Sequence, residues 1–323
     1  MLLRQNDRHL PLAEVDPAFR YDVLNGLSIR PRAIPARWLY DRSGAELFEA
    51  ITTLPEYYAT RTEHAILSEA ASEIAALTGP VRAVVEFGSG SSAKTPILLA
   101  AVNPSAYVPI DICIDVLWRS VQRLSETFPD LGIYPVEGDF TGELRLPAAL
   151  KSMPRLGFFP GSTIGNLVVP AAVDLLRSMA ATLGACSMLL IGIDRLKDAD
   201  VLLPAYDDAQ GVTAAFNLNL LHRINRELGG SAPVDAFRHR VRWNDAEARI
   251  EMHLEAVRDV YFAVQGQHFF FMAKGETIHT ENSLKYGPRD AGVLLRAGGW
   301  TPIADWTDDD ELFSVILARE GAG

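Results

Sequence analysis

Val84-Val85-Glu86-Phe87-Gly88-Ser89-Gly90-Ser91-Ser92-Ala93-Lys94 decides the fold. A short apolar strand enters a turn with two glycines and leaves it as a helix. The glycines let a backbone approach a ligand closely, and a helix N-terminus favours negative groups. The string satisfies the G-x-G-x-x-A pattern of a dinucleotide turn, a weak signal alone. It gains weight downstream. Tyr107–Ile112 reads as the next strand and ends at Asp111, where a carboxylate can accept both hydroxyls of a ribose. Ile133–Val136 reads as a third, followed by Gly138-Asp139-Phe140, where Asp139 can take an adenine amino group and Phe140 can cover the ring. Successive strand ends therefore describe an adenosine site on one edge of a sheet, against the plain alternative of tight turns capped by solvated aspartates.

Outward from this centre the strand–helix alternation continues with strands at Gly157–Pro160 and Met188–Ile193, which implies right-handed crossovers and a parallel sheet. Thr301–Trp306 and Leu312–Ala318 read as a hairpin closing that sheet. Upstream, a helix is expected over Ala18–Leu24, stopped by Asn25-Gly26. A second is expected to be capped at Ser43-Gly44, and a third to open with a capping box, Thr60 to Glu63. Residues 197–229 read as mostly helical. Phe237–Asn244, Arg249–Val264, His268–Ala273 and Thr277–Tyr286 read as longer antiparallel strands, and 288–297 as a helix. The expected architecture is α/β. A nucleotide-binding unit takes residues 61–195 and 287–323, and a second, α+β unit takes 1–60 and 196–286. A cleft between two such units favours a ligand.

Composition limits the alternatives. The 323 residues are 48% apolar and 22% charged, with net charge −11. Such an acidic chain repels phosphate backbones and anionic membrane surfaces, so neither nucleic acid nor membrane is an expected partner. No apolar run reaches a membrane span and the N-terminus turns polar early, so a cytoplasmic protein is expected. Cys113 and Cys186 are expected as buried thiols. No cysteine or histidine pair has metal spacing, and no metal is expected. Either a nicotinamide dinucleotide or S-adenosylmethionine fits the glycine turn. Lys94 suits a carboxylate, Glu86 suits a cationic group, and the closing hairpin favours the methyl donor.

Further strings belong to a small-molecule pocket. Gly161-Ser-Thr-Ile-Gly-Asn166 can present amides to a polar ligand, or Asn166 can cap the helix near Pro170. Tyr206 stands beside two acids. Glu281 and Ser283 share one face of a strand, with Asn282 between them, and either read an N–H group or are surface polars.

Long, uncommon strings carry a resemblance: Trp38-Leu-Tyr40-Asp41, Leu54-Pro-Glu-Tyr57-Tyr58-Ala-Thr-Arg-Thr-Glu63, Glu86-Phe-Gly-Ser-Gly90, Gly161 to Leu167, Tyr206 to Asn217, and Trp243-Asn244 through Met252. Through them the chain resembles the S-adenosylmethionine-dependent histidine Nα-methyltransferases of ergothioneine biosynthesis. The resemblance implies a Rossmann-like methyltransferase sheet with a second, substrate-binding unit. It implies methyl-donor contacts at Gly88, Lys94, Asp111, Asp139 and Phe140. The amino-acid end of histidine falls to Tyr57, Gly161, Asn166 and Tyr206, and the imidazole to Glu281 and Ser283. Tyr40, Phe48 and Met252 line the same pocket. Tyr40, or a water beside Asn166, is the candidate proton acceptor. The implied partners are L-histidine and its mono- and dimethylated forms, and a monomer is expected. The second strand departs from the family's usual Asp-x-Asp by ending Asp111-Ile-Cys113. Competing readings are a relative acting on another amino acid, a nicotinamide oxidoreductase, and a non-catalytic binding protein.

Overall fold

The computed structural model describes residues 15–81, 83–142, 144–150 and 153–321. A twisted sheet of eight strands forms its centre. Across it run Trp300–Thr307, Phe313–Glu320, Met188–Asp194, Arg155–Phe159, Ala83–Phe87, Ala106–Asp111 and Gly132–Ile133, with Val136–Glu137 also paired to Ala106–Asp111. The strands from Met188–Asp194 to Val136–Glu137 are parallel, and the terminal hairpin joins them antiparallel. All five residues of Ala83–Phe87 are buried, because helices cover both faces and leave no solvent side.

Alternation along the central strands feeds two cores. Val84, Tyr107, Leu156 and Leu190 point to one face and pack with Ile66 and Leu67 of the helix Tyr58–Thr78. Val85, Val108, Leu189 and Ile191 point to the other, onto Leu175 and Leu176 of Val169–Leu183 and Leu294 and Leu295 of Pro288–Ala297. The first core continues without interruption into Phe216, Ile250, Met252 and Ile278. Phe216 belongs to the helix Val212–Glu227, and the other three to a smaller sheet, ordered Arg32–Ala33, Thr277–Leu284, Arg249–Ala256, Phe237–Asn244. Shared apolar packing thus fixes the small sheet against the carboxyl edge of the large one. Tyr286 N donates to Asp194 O, tying the end of one sheet to the other.

Several local expectations change. The first helix runs Pro17–Ser28, capped by Asp16, straight through Asn25-Gly26. Gly26 is not a stop: a Cβ there would lie 1.9 Å from the Ala33 carbonyl oxygen, so the glycine lets the helix touch the small sheet's edge strand. The second helix, Arg42–Ile51, is capped by Asp41, whose carboxylate accepts from Gly44 N at 2.8 Å. Thr60 to Glu63 is not a capping box. The helix has already begun at Tyr58, which places Glu63 inside it and fully buried. The third strand divides into Gly132–Ile133 and Val136–Glu137. The run 249–264 divides too: Val260–Val264 leaves the small sheet and pairs with His268–Met272 as a separate hairpin. The helical stretch after 197 breaks between Ala199–Tyr206 and Val212–Glu227, where Asp208 caps the second helix through the amides of Val212 and Thr213. Cys186 is exposed and Cys113 half-buried, contrary to the expectation of two buried thiols; an apolar neighbourhood in sequence does not fix the exposure of a turn residue. Among the described residues no helix is long and apolar enough to cross a membrane.

Candidate active site

A cavity of about 900 Å³ opens along the carboxyl edge of the large sheet. One wall comes from the strand ends. Gly88 has φ +71°, and a Cβ there would lie 3.0 Å from the Phe140 ring, so glycine alone lets the turn and that ring approach so closely. Phe140 is held by an edge contact with Phe159, ring centroids 5.5 Å apart. Asp111 accepts from Gly90 N at 2.7 Å on one oxygen and from Cys113 N at 2.8 Å on the other. Each oxygen keeps lone-pair capacity toward the cavity. Burial pushes Asp111 up from its ordinary range, and the backbone hydrogen bonds oppose that.

Asp139 accepts from Thr141 N and Oγ1 and from Arg37 Nη1 at 2.8 Å. Burial alone would raise it, but those hydrogen bonds and the guanidinium hold it below the usual carboxylate range. Arg37 also pairs with Asp22, so the N-terminal helix is tethered to this rim.

Two further candidates on this wall already have partners within the protein. Glu86 lines the cavity. It accepts from Thr95 Oγ1 and Tyr107 OH, and burial pushes it to about 8, so it is largely neutral near pH 7. Lys94 lines the cavity too, and its ammonium is paired with Glu63. That carboxylate also accepts from Gly161 N at 2.9 Å.

The second wall is aromatic. Tyr40, Phe48 and Phe216 form a mutual cluster with centroids 5.4–6.0 Å apart, and Tyr57 stands edge-on to Phe48 and to Tyr206. Behind it lies a smaller pocket of about 50 Å³. Tyr40, Phe48, Tyr57, Gly161, Asn166 and Glu281 line both spaces, whereas Tyr206, Met252 and Ser283 line only the smaller one.

Register explains this placement. Glu281 pairs with Met252 and Ser283 with Ile250, on the face turned to the apolar core, and both polar residues are buried. Asn282 follows the alternation to the opposite face, toward His279, and lines the larger cavity rather than the small pocket. Asn166 does not cap the following helix, whose cap is Val168. Its amide donates to Glu281 Oε1 at 3.3 Å, and Tyr40 OH donates to the same oxygen at 3.4 Å. Burial pushes Glu281 up to about 7, against the Tyr40 hydrogen bond and the positive charge of Lys285.

The model of the histidine-specific, S-adenosylmethionine-dependent methyltransferases matches residues 19–320. The chain belongs to that family. It is 41% identical to the histidine N-alpha-methyltransferase of Mycolicibacterium smegmatis, over 93% of this chain and 94% of that one. Its identity to the Mycobacterium tuberculosis protein of the same name is also 41%, over 94% and 95%. Among solved structures, an S-adenosylmethionine-dependent methyltransferase of Clostridium acetobutylicum matches with TM-score 0.52 at 11% identity, covering 86% of this chain and 99% of that one. This likeness concerns the fold, a Rossmann-like methyltransferase sheet.

Sequence reasoning missed four groups around this methyltransferase site. Glu63 was hidden by its resemblance to a helix cap. Asp194, Lys197 and Lys285 form a buried charge cluster behind the small pocket. Asp194 accepts from both lysines and from Tyr58 OH, and Ser162 Oγ accepts from its backbone N–H. Burial alone would raise Asp194, but the two ammonium groups hold it below the usual range. The alternation that picks out 281 and 283 also reaches 285, so Lys285 was legible in principle.

Histidines without metal spacing in sequence also meet in space. Register sets His253 opposite His279, and one donor atom from each lies within 4.8 Å of the others and of Glu251. The two rings stack at 4.8 Å with a 22° angle, so their in-plane lone pairs run side by side rather than converging.

Proposed function

We propose that the chain transfers methyl groups from S-adenosylmethionine to the α-amine of L-histidine, successively to the trimethylated betaine, the first step of ergothioneine biosynthesis. The observation that carries this reading is the shared lining of two spaces. An adenosine-type rim on the sheet edge and a small polar pocket meet at Tyr40, Phe48, Tyr57, Gly161, Asn166 and Glu281. A donor in the large cavity and an acceptor in the small one would present their reacting ends at that common rim.

In this reading Asp111 takes the ribose hydroxyls, Asp139 and Phe140 take the adenine, and the turn at Gly88 and Gly90 takes the methionine portion. Family membership supplies the donor, and the relatives' names supply histidine as acceptor. When bound, the donor supplies an electrophilic methyl on a sulfonium. The chain's task is to hold the amine lone pair in line with it, and placement of this kind accounts for most of such an acceleration. Tyr57, Gly161 and Asn166 would place the amino-acid end; Glu281 and Ser283 would read the imidazole. A water beside Asn166 receives the ammonium proton before transfer; Tyr40, a phenol that burial keeps protonated and that donates to Glu281, would take it only by passing its own proton on to that carboxylate. We further propose that 61–195 with 287–323 form the donor-binding unit, 1–60 with 196–286 the acceptor-binding unit, and that the protein works as a monomer.

Mass spectrometry of L-histidine incubated with S-adenosylmethionine and the purified protein tests the proposal, with the other amino acids in parallel. Trimethylhistidine as the end product, with the others unchanged, supports it. A methylated product from a different amino acid retains the donor site and rejects the acceptor; no product in any sample rejects catalysis.

A further inference from the structure

Lys285 follows Ser283 on the same strand face, and its side chain has no solvent exposure. An ammonium buried to this extent must place all three of its protons. They go to Asp194, to Tyr206 OH at 2.8 Å and to Ser283 Oγ at 2.8 Å. Tyr206 OH and Ser283 Oγ are themselves 2.7 Å apart. The three polar atoms therefore close a triangle, and its protons can be counted. The lysine gives each hydroxyl oxygen one proton. The contact between the hydroxyls consumes one of their own two protons. One hydroxyl proton is left, and the small pocket lined by both residues is the space open to it. The phenol is the more acidic partner and donates to the serine, which fills both Ser283 lone pairs and turns the Ser283 proton outward.

We propose that Lys285 is a positioning residue that fixes Ser283 as a hydrogen-bond donor to the substrate, so that the pocket selects a ring bearing one N–H and one unprotonated nitrogen. This rests on the reading of Glu281 and Ser283 as the pair facing the imidazole. Glu281, two residues away on the same face, is the acceptor of the pair. A donor beside an acceptor matches the neutral imidazole in a single tautomer. A protonated ring would oppose its second N–H to the Ser283 proton, and a hydrocarbon ring would leave that proton and the second Glu281 oxygen without a partner. Asp194 anchors the ammonium so that it does not swing toward the ligand, and Lys197 neutralises the second oxygen of Asp194.

A double-mutant cycle tests the proposal in the full chain. Ser283→Ala is expected to lower kcat/KM for histidine about tenfold, the worth of one such hydrogen bond. Lys285→Met is expected to lower it by a similar factor, with S-adenosylmethionine affinity within twofold of the parent. Adding Ser283→Ala to Lys285→Met is then expected to cost less than twofold more. Multiplying effects, or an equal loss of donor affinity in Lys285→Met, would overturn the role, because both describe a lysine that supports only the fold.

Should Lys285→Met not yield folded protein, the parent enzyme answers alone. Ring-¹⁵N-labelled histidine bound in the presence of S-adenosylhomocysteine is expected to show one protonated and one bare nitrogen. Two protonated nitrogens would overturn the inference while leaving histidine as the substrate. Absence of histidine binding in the parent would instead reject the proposed function on which the inference rests.

Discussion

The two sides of the cavity are built on different plans. On the large sheet, the polar groups come from the ends of adjacent parallel strands and the turns after them: Gly88, Asp111, Asp139 and Phe140 lie where each strand stops. On the small pocket's side, the groups come from segments far apart in sequence, near 40–57, 161–166, 206 and 281–285, brought together by register and by a shared apolar core. The first plan makes a general site for an adenosine ligand from local geometry. The second makes a particular one, in which buried polar groups are committed to one another before any ligand arrives. In the proposed reading, donor binding belongs to the sheet edge, while selectivity belongs to a cross-sheet assembly that few substitutions can alter without cost.

Three changes break or sharpen that contrast, in decreasing order of expected effect. Asp111→Ala removes the carboxylate that would hold both ribose hydroxyls and also frees the amides of Gly90 and Cys113. Two charge-assisted hydrogen bonds are worth about 1.5–3 kcal/mol each, so S-adenosylmethionine affinity is expected to fall by about 100-fold or more by calorimetry. Histidine affinity, measured without donor, should change by less than about threefold if the two sides are energetically separate. Glu281→Ala is the mirror experiment. Histidine affinity is expected to fall about 10–100-fold, the worth of one hydrogen bond to a buried charged group. Donor affinity stays near the parent's. An equal loss of both ligands in either variant would mean one cooperative site rather than two joined ones.

The smallest effect concerns stability. Folded Glu86 holds its proton to about pH 8, against 4.5 for its unfolded counterpart. Between those values the folded state binds more protons, so stability is greatest on the acid side of the window and declines as pH rises through it. The decline is on the order of a few kcal/mol. Glu86→Gln keeps the shape and cannot ionise, so its melting temperature should vary less between pH 5 and 8 than the parent's. An unchanged pH dependence would mean that Glu86 is ionised in the folded protein.

Legibility in the sequence followed the same division. The parallel sheet and its closing hairpin are written in short apolar runs, since burial on both faces leaves Ala83–Phe87 and Met188–Asp194 almost wholly apolar. Asp111 and Asp139 could be read because a strand end has a definite place in such a sheet. The acceptor pocket had no local signature. Glu281 and Ser283 were visible only as alternating polars, and resemblance assigned them a role. Glu63 was misread because a Thr-x-x-Glu string carries the same letters whether it opens a helix or lies one turn inside it. Asn282 lies between Glu281 and Ser283 in sequence, and strand alternation sends it to the opposite face and the larger cavity. The buried pairing of Asp194 with Lys197 and Lys285 spans 91 residues of chain at its widest. No periodicity records a contact of that separation. Gly26 reads as a stop signal and proves to be a point of close approach, a difference that only the neighbouring Ala33 carbonyl reveals.

The proposed reaction requires donor and acceptor to meet at the rim lined by Tyr40, Tyr57, Gly161, Asn166 and Glu281. A crystal structure with S-adenosylhomocysteine and L-histidine bound together tests it most directly. The sulfur is expected above Gly161 with the histidine α-amine facing it across that rim, and the imidazole between Glu281 and Ser283. A histidine whose ring points toward the sulfur, or one bound outside the small pocket, would contradict it.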